Sequence, residues 1–219
     1  ETHGYLTKNI VDFYNKNYPK NKISDESAAF LIDGARLEDN VPRYFNHFYD
    51  PINQIGLADK IYRGMASKIW AQDEKEQLAL IYRILPQTEI PTLLTASQIQ
   101  IIKPDFNQSD FTWQKAIDLY AKGEKEKALF ALGHTLHLIE DASVPDHTRN
   151  DSHPPFDDGG SPYENWTERF NLKNFDFDLT GRLKNKKPIV LDTLNEYFDG
   201  IANYSNNNFY SKDSIKNYE

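Results

Sequence analysis

The segment EKEKALFALGHTLHLIEDA, residues 124–142, constrains the fold more than any other. Read at 3.6 residues per turn, Leu129, Phe130, Leu132, Leu136, Leu138 and Ile139 leave almost no polar face. Such a helix is predicted to be buried. It takes His134, His137 and Asp141 inside with it, and His137 and Asp141 are i, i+4 neighbours on one face. A buried imidazole and a buried carboxylate are costly unless something satisfies them. A hydrogen-bonded pair does so, and so does a divalent cation, which takes a neutral ring nitrogen and a carboxylate oxygen at roughly 2 Å each.

The next residues weight the choice. Pro145 closes the helix, and His147 falls six residues after Asp141, where the chain can fold back towards a second ion. Asp141 has two oxygens and could bridge. Paired ions roughly 3.5–4 Å apart are a familiar phosphoester-cleaving arrangement, activating a water and neutralising the phosphate. Residues 134–153 hold four of the six histidines, and the other two, His3 and His47, open the first helical stretch and sit in NHFYDP. With no cysteine in the chain, any metal must use His, Asp, Glu or backbone groups.

The rest of the sequence is helical in period. Leu6, Ile10 and Phe13 form one stripe, and Ala58, Ile61, Met65 and Ile69 another. DEKEQLALIYRIL reads as a helix stopped by Pro86. SDFTWQKAIDLYAKG reads as a helix with a Ser/Asp cap and a C-cap at Gly123, and PYENWTERF and LDTLNEYFDGIANY read as two more. Long loops are expected near 39–56, 86–110, 144–161 and 173–188. The prediction is one all-α domain over residues 1–219, compact, with about seven or eight helices. Thirteen Tyr, thirteen Phe and three Trp supply core and argue against disorder. A net charge of −8 argues against a broad basic nucleic-acid platform, although three divalent cations in one cleft would offset most of it. No membrane-spanning run is visible. The start at Glu1 suggests a mature or trimmed product of a secreted or extracytoplasmic protein, and the polar tail suggests that more chain follows.

LGHTLHLIEDASVPDH resembles the L-G-x-x-L-H-x-x-x-D-x-x-x-P-x-H signature of the zinc-dependent phospholipases C, whose superfamily includes the single-strand-specific P1/S1-type nucleases. THGYLTKNIV is similar to that family's N-terminal T/S-H helix, NHFYDP to its H-F-Y/W-x-P loop, and SPYENW to its Y-E-N/x-F/W segment. The pair of helices across WQKAIDLYAKGEKEKALFALGHTLHLIED also follows the family pattern, and the motifs run in the family's order.

The resemblance implies a phospholipase C/P1 nuclease-like fold and a cluster of two or three zinc ions. His47, His137 and Asp141 would hold the first ion with an acid from GARLED, Asp39 by choice and Glu38 as the fallback; Asp39 could instead act as general base. His147 and Glu164 would hold the second. The family adds a histidine four residues before that glutamate, where this chain has Gly160. Either His153 substitutes or the second ion is under-ligated, and substitution is the expectation. His3 would serve a third ion with Asp141, but the family's N-terminal tryptophan has no counterpart beside Glu1. His134 matches no family ligand and is read as a core histidine. Asp151 would orient His147 or His153, and Asp146 is read as solvated.

The implied activity is hydrolysis of phosphodiesters, phospholipid or single-stranded nucleic acid, by a monomer that could touch a membrane surface. Phe48, Tyr49, Phe156 and Tyr163 are candidates for base stacking or for a choline pocket. The acidic balance favours a lipid or small phosphoester. A non-catalytic, metal-stabilised binding domain is the rival reading, motivated by Gly160. NFDFDLTG lacks the later glutamate of a calcium loop, and DDGGSP reads as a turn.

Overall fold

The computed structural model describes residues 2–40, 43–58, 63–78, 110–153, 160–169 and 179–214. Among them no strand forms; two isolated bridges, Asp50 with Ile55 and Ala58 with Arg63, are the sole extended pairings. The helices are α1 (Thr2–Asn17), α2 (Asp25–Leu37), α3 (Ser67–Trp70), α4 (Trp113–Ala121), α5 (Lys125–Asp141), α6 (Pro145–Thr148), α7 (Pro162–Arg169), α8 (Leu179–Arg182) and α9 (Leu194–Asn208). The all-α expectation holds for these residues. None of their helices is long and apolar enough to cross a membrane.

α5 is the axis. Leu138 and Ala142 at its end join Tyr49, Trp70, Leu194, Phe198 and Ala202 in one apolar cluster. Leu129, Leu132 and Leu136 meet a second cluster of Val11, Ala28 and Leu31 from α1 and α2. A helix apolar nearly all round must be covered all round, and this one is covered by α1, α2, α4 and α9. Its start follows directly on Gly123, whose φ of +82° ends α4 in the left-handed turn expected there.

α2 and α5 approach each other closely. A Cβ on Gly34 would overlap the carbonyl oxygen of Phe130, and one on Gly133 would overlap that of Leu31. Two glycines facing each other let the backbones touch. That contact brings the C-terminal end of α2, with Glu38 and Asp39 behind it, against the histidine face of α5.

Local expectations met several corrections. In α1 the buried residues are Gly4, Thr7 and Val11, while Ile10 is 40% exposed. The helix is turned away from its Leu6–Ile10–Phe13 stripe because polar groups on its inner face have partners on α5. α4 is capped by the Thr112 hydroxyl, which accepts from the Lys115 N–H, and Asp110 in turn accepts from Thr112. Of the described residues in the stripe from Ala58 to Ile69, only those within Ser67–Trp70 are helical; residues 59–62, Ile61 among them, lie outside the described residues. Gly56 and Gly64 explain the difference. Each passes so near another strand of backbone, at Met65 and Phe45, that a Cβ would collide. The loops at 39–56, 144–161 and 173–188 contain a 3-10 turn at Arg43–Asn46, α6 and α8 respectively. Of the helix predicted from residue 73, residues 74–78 are helical; residues 79–85 and the loop up to residue 109 lie outside the described residues.

The α2–α5 contact predicts unequal effects of two alanines. Gly133→Ala should cost about 1–3 kcal/mol in urea denaturation, because backbone rather than a flexible side chain must yield. Gly200→Ala on α9, which meets nothing within 4 Å, should instead gain about 0.5–1 kcal/mol from helix propensity. Equal effects would contradict the close packing.

Candidate metal centre

α5 delivers His137 and Asp141 to its buried C-terminal end, where both are at most 1% exposed. Around the Asp141 carboxylate the fold assembles residues from distant segments. Its Oδ2 lies 2.9 Å from His47 Nδ1, 3.1 Å from His137 Nε2 and 3.5 Å from His147 Nδ1. Its Oδ1 lies 3.3 Å from His3 Nε2. Asp39, 59% exposed at the rim, places Oδ1 3.5 Å from His137 Nε2 and 3.7 Å from His47 Nδ1. A second group stands beside the first: His147 Nε2 and His153 Nε2 are 3.3 Å apart, and the two oxygens of Glu164 lie 3.3 Å from one and 3.3 Å from the other.

Not all of these short distances are hydrogen bonds. Asp141 Oδ2 and His147 Nδ1 are buried and make no hydrogen bond among the described residues. His137 Nε2 and His47 Nδ1 approach to 3.2 Å with both nitrogens facing inward. Ring nitrogens and carboxylate oxygens that converge in this way suit a cation or shared protons. Three groups have ligand atoms within 4.8 Å of one another: His3, His137 and Asp141; Asp39, His47 and His137; His147, His153 and Glu164. His137 belongs to two of them, and its Nε2 serves one ion at a time.

The other ring nitrogens explain the orientation. His137 Nδ1 donates to the Ala35 carbonyl at 2.6 Å, and His47 Nε2 to the Glu38 carbonyl at 3.3 Å. His153 Nδ1 donates to the Asp151 carbonyl at 2.8 Å, and His3 Nδ1 to Glu140 at 2.8 Å. Each bond keeps a proton on the outer nitrogen and turns the inner one to the centre, the usual arrangement behind ligating histidines. His147 is held instead by packing on Phe48, ring centroids 4.6 Å apart.

Electrostatics follow from this crowding. Burial alone would raise the Asp141 carboxyl; the imidazoles of His147, His137, His3 and His47 outweigh it and hold it well below the usual carboxylate range. Burial would likewise raise Glu164, but His147 and His153 pull it down. In return, and against burial, Asp141 and Glu140 push His3 up to about 10, and Asp141 and Glu164 push His147 well above its ordinary value. His137 and His153 are raised too, despite burial, by Asp141 and by Glu164 respectively.

All eight residues singled out as ligands, His3, Asp39, His47, His137, Asp141, His147, His153 and Glu164, therefore lie in these groups. Gly160 has a φ of +70°, a conformation that favours glycine over a histidine. A Cβ there would lie 3.9 Å from the carbonyl of His153, so the two positions are neighbours.

Other readings need correction. Glu38 is no ligand: its buried carboxylate accepts from Arg43 Nε at 2.6 Å, Trp70 Nε1 at 2.8 Å and His134 Nδ1 at 2.6 Å. His134 is a core histidine but not an apolar one. It bonds that carboxylate and stacks on Phe111, and burial holds it neutral down to about pH 4 despite Glu38. Asp146 is not solvated. It is 1% exposed and accepts from the Ser161 hydroxyl, which also accepts from the Glu164 N–H and so sets the start of α7. Asp151 orients His153 through its carbonyl rather than its carboxylate. Phe48 and Tyr49 are buried and offer no face for stacking, Tyr163 is 43% exposed, and Phe156 lies outside the described residues. Sequence reasoning missed Glu140 and the Glu38–Arg43–Trp70 cluster. The acid pairs Glu38-Asp39 and Glu140-Asp141 were their only sequence signal.

The chain matches no family model and no curated protein.

The shifted groups predict a stability optimum for the metal-free protein. His3 and His147 are raised, so their contribution is complete below the ordinary value of 6.5 and is lost as pH climbs towards about 10. Asp141 and Glu164 are lowered, so theirs is present above about 4.5 and is lost on acidification. His134, which refuses a proton that the unfolded chain accepts below 6.5, steepens the acid limb. With chelator present, Tm should peak near pH 6.5 and fall on both sides. A flat profile from pH 6.5 to 9.5 would refute the alkaline limb.

Proposed function

We propose that this chain is a zinc-dependent phosphodiester hydrolase of the phospholipase C kind. One observation carries the proposal. Segments far apart in sequence turn imidazole nitrogens on a buried carboxylate oxygen, Asp141 Oδ2, that makes no hydrogen bond among the described residues. The donor set, imidazole and carboxylate without thiolate, suits zinc, and the resemblance read from LGHTLHLIEDASVPDH points the same way.

Asp39, His47, His137 and Asp141 would hold one ion, and His147, His153 and Glu164 a second. With His137 committed to the first, a third ion would have His3 and Asp141 among the described residues. That favours a two-ion centre with a weaker third position. Zinc held there supplies Lewis-acid chemistry, lowering the pKa of a water and offsetting charge on a phosphate. The chain's own residues do the rest. Asp39 would serve the first ion through Oδ1 and, exposed at the solvent rim, would leave its second carboxylate oxygen to accept a proton from an attacking water. The outer-nitrogen bonds of His3, His47, His137 and His153 keep the inner nitrogens aimed without reorganisation. Phe48 packs on both His147 and His153, ring centroids 4.6 and 5.5 Å away, and so backs the second group with an apolar ring.

The substrate favoured is a phospholipid headgroup or another small phosphodiester. The net charge of −8 opposes a long polyanion, and the buried Phe48 and Tyr49 remove two of the platforms on which bases would stack.

Zinc-loaded protein should hydrolyse bis-p-nitrophenyl phosphate, and a chelator should stop it. Asp141→Asn should abolish both zinc uptake and turnover; full zinc occupancy in that variant would refute the assignment. His153→Ala should lose about one zinc equivalent by elemental analysis while retaining the other group. Wild-type protein with full zinc and no turnover on phospholipids or single-stranded DNA would instead identify a binding domain.

A further inference from the structure

Glu140 stands next to Asp141 in the chain and on the other side of the same histidine in space. Its Oε2 lies 2.8 Å from His3 Nδ1, and its Oε1 accepts from the Thr7 hydroxyl at 2.9 Å. Asp141 Oδ1 faces the opposite ring nitrogen, Nε2, at 3.3 Å. We propose that Glu140 is a positioning residue: it holds the His3 ring so that Nε2, and not Nδ1, is presented beside Asp141. The inference rests on the zinc reading above and names a part of it that the family signature does not contain.

The argument is geometric. His3 lies in the first turn of α1, where helix ends fray and a side chain has many rotamers to lose. A carboxylate can accept but not donate, so His3 keeps a proton on Nδ1 and the lone pair left for a cation is on Nε2. Thr7 is four residues after His3, on the same face of α1, and its hydroxyl fixes the second oxygen. The carboxylate is therefore held at two points and is 8% exposed. The His3 ring stacks on His137 with centroids 3.7 Å apart, which sets its plane; Glu140 sets which edge faces inward. This pairing also accounts for the inner face of α1 being Gly4, Thr7 and Val11 rather than its aliphatic stripe. Glu140 itself is no ligand in this arrangement, because one of its oxygens is engaged by the outer edge of the ring and the other by the Thr7 hydroxyl.

The test compares full-length wild type with Glu140→Leu, Glu140→Gln, Thr7→Val, His3→Ala and the Glu140→Leu/His3→Ala double variant. Zinc affinity and stoichiometry are measured by calorimetry against a competing chelator. The His3 ring nitrogens are read by 15N NMR. Glu140→Leu should weaken the weakest zinc step about 10–100-fold and release the ring from its Nδ1–H form. Glu140→Gln, whose amide oxygen can still accept from Nδ1–H, should lose less and keep that form. The double variant should bind zinc no worse than His3→Ala alone, since the two act through one group. If Glu140→Leu does not fold, Glu140→Gln and Thr7→Val carry the test, both with a smaller loss in that same step. Wild type that takes up no zinc overturns the hydrolase reading and this inference with it. Zinc-binding wild type with unchanged affinity and an unchanged His3 form in the folded Glu140 variants overturns this inference alone, as does a double variant with additive losses.

Discussion

One carboxylate organises this protein. Asp141 is buried at the end of the most apolar helix, and imidazoles from α1, the loop after α2, α5 itself and α6 face its two oxygens. A buried acid with a single basic partner is a common structural device. Four ring nitrogens around one acid is not explained by charge pairing, since each added imidazolium repels the others. The arrangement makes physical sense when the positive charge is concentrated between the ligand atoms, as the proposed zinc would place it.

The centre depends on layers further out. Gly34 and Gly133 allow α2 and α5 to touch, and from that contact the Ala35 carbonyl reaches His137. Glu38, fixed by Arg43, Trp70 and His134, stiffens the turn that offers its carbonyl to His47 and exposes Asp39. Asp146 and Ser161 do the same for Glu164 by setting the start of α7. Polar groups that never reach the centre thus decide which nitrogen or oxygen faces it. Apart from the part-buried bond from the Glu164 N–H to Ser161, these bonds are buried, so the reach of the inner groups is set by rigid backbone rather than by side-chain searching.

Legibility in the sequence varied with the range of the interaction. α5 and its polar pair were readable because periodicity and the i, i+4 spacing are local properties. So were the turn at Gly123 and the helices at Pro162 and Leu194, each marked by its own cap or breaker. The stripe from Ala58 to Ile69 misleads, because Gly64 within it and Gly56 just before it serve crossing backbones that the local sequence does not reveal. The inner face of α1 was misjudged because Thr7 is buried for a partner on α5, 133 residues away. Asp146 was read as solvated for the same reason: the serine that occupies it comes from another segment.

By itself, then, the sequence determined the helical class, the buried course of α5 and the types of atom available for a cation, because these follow from periodicity and from side-chain chemistry. It marked which histidines and acids to watch. The tertiary structure alone decided that His153 lies beside His147 and Glu164, that Asp39 rather than Glu38 faces His137, and which nitrogen of each ring turns inward. Those choices depend on the path of backbone between helices and on carbonyls contributed by distant residues, and no spacing within one segment encodes either.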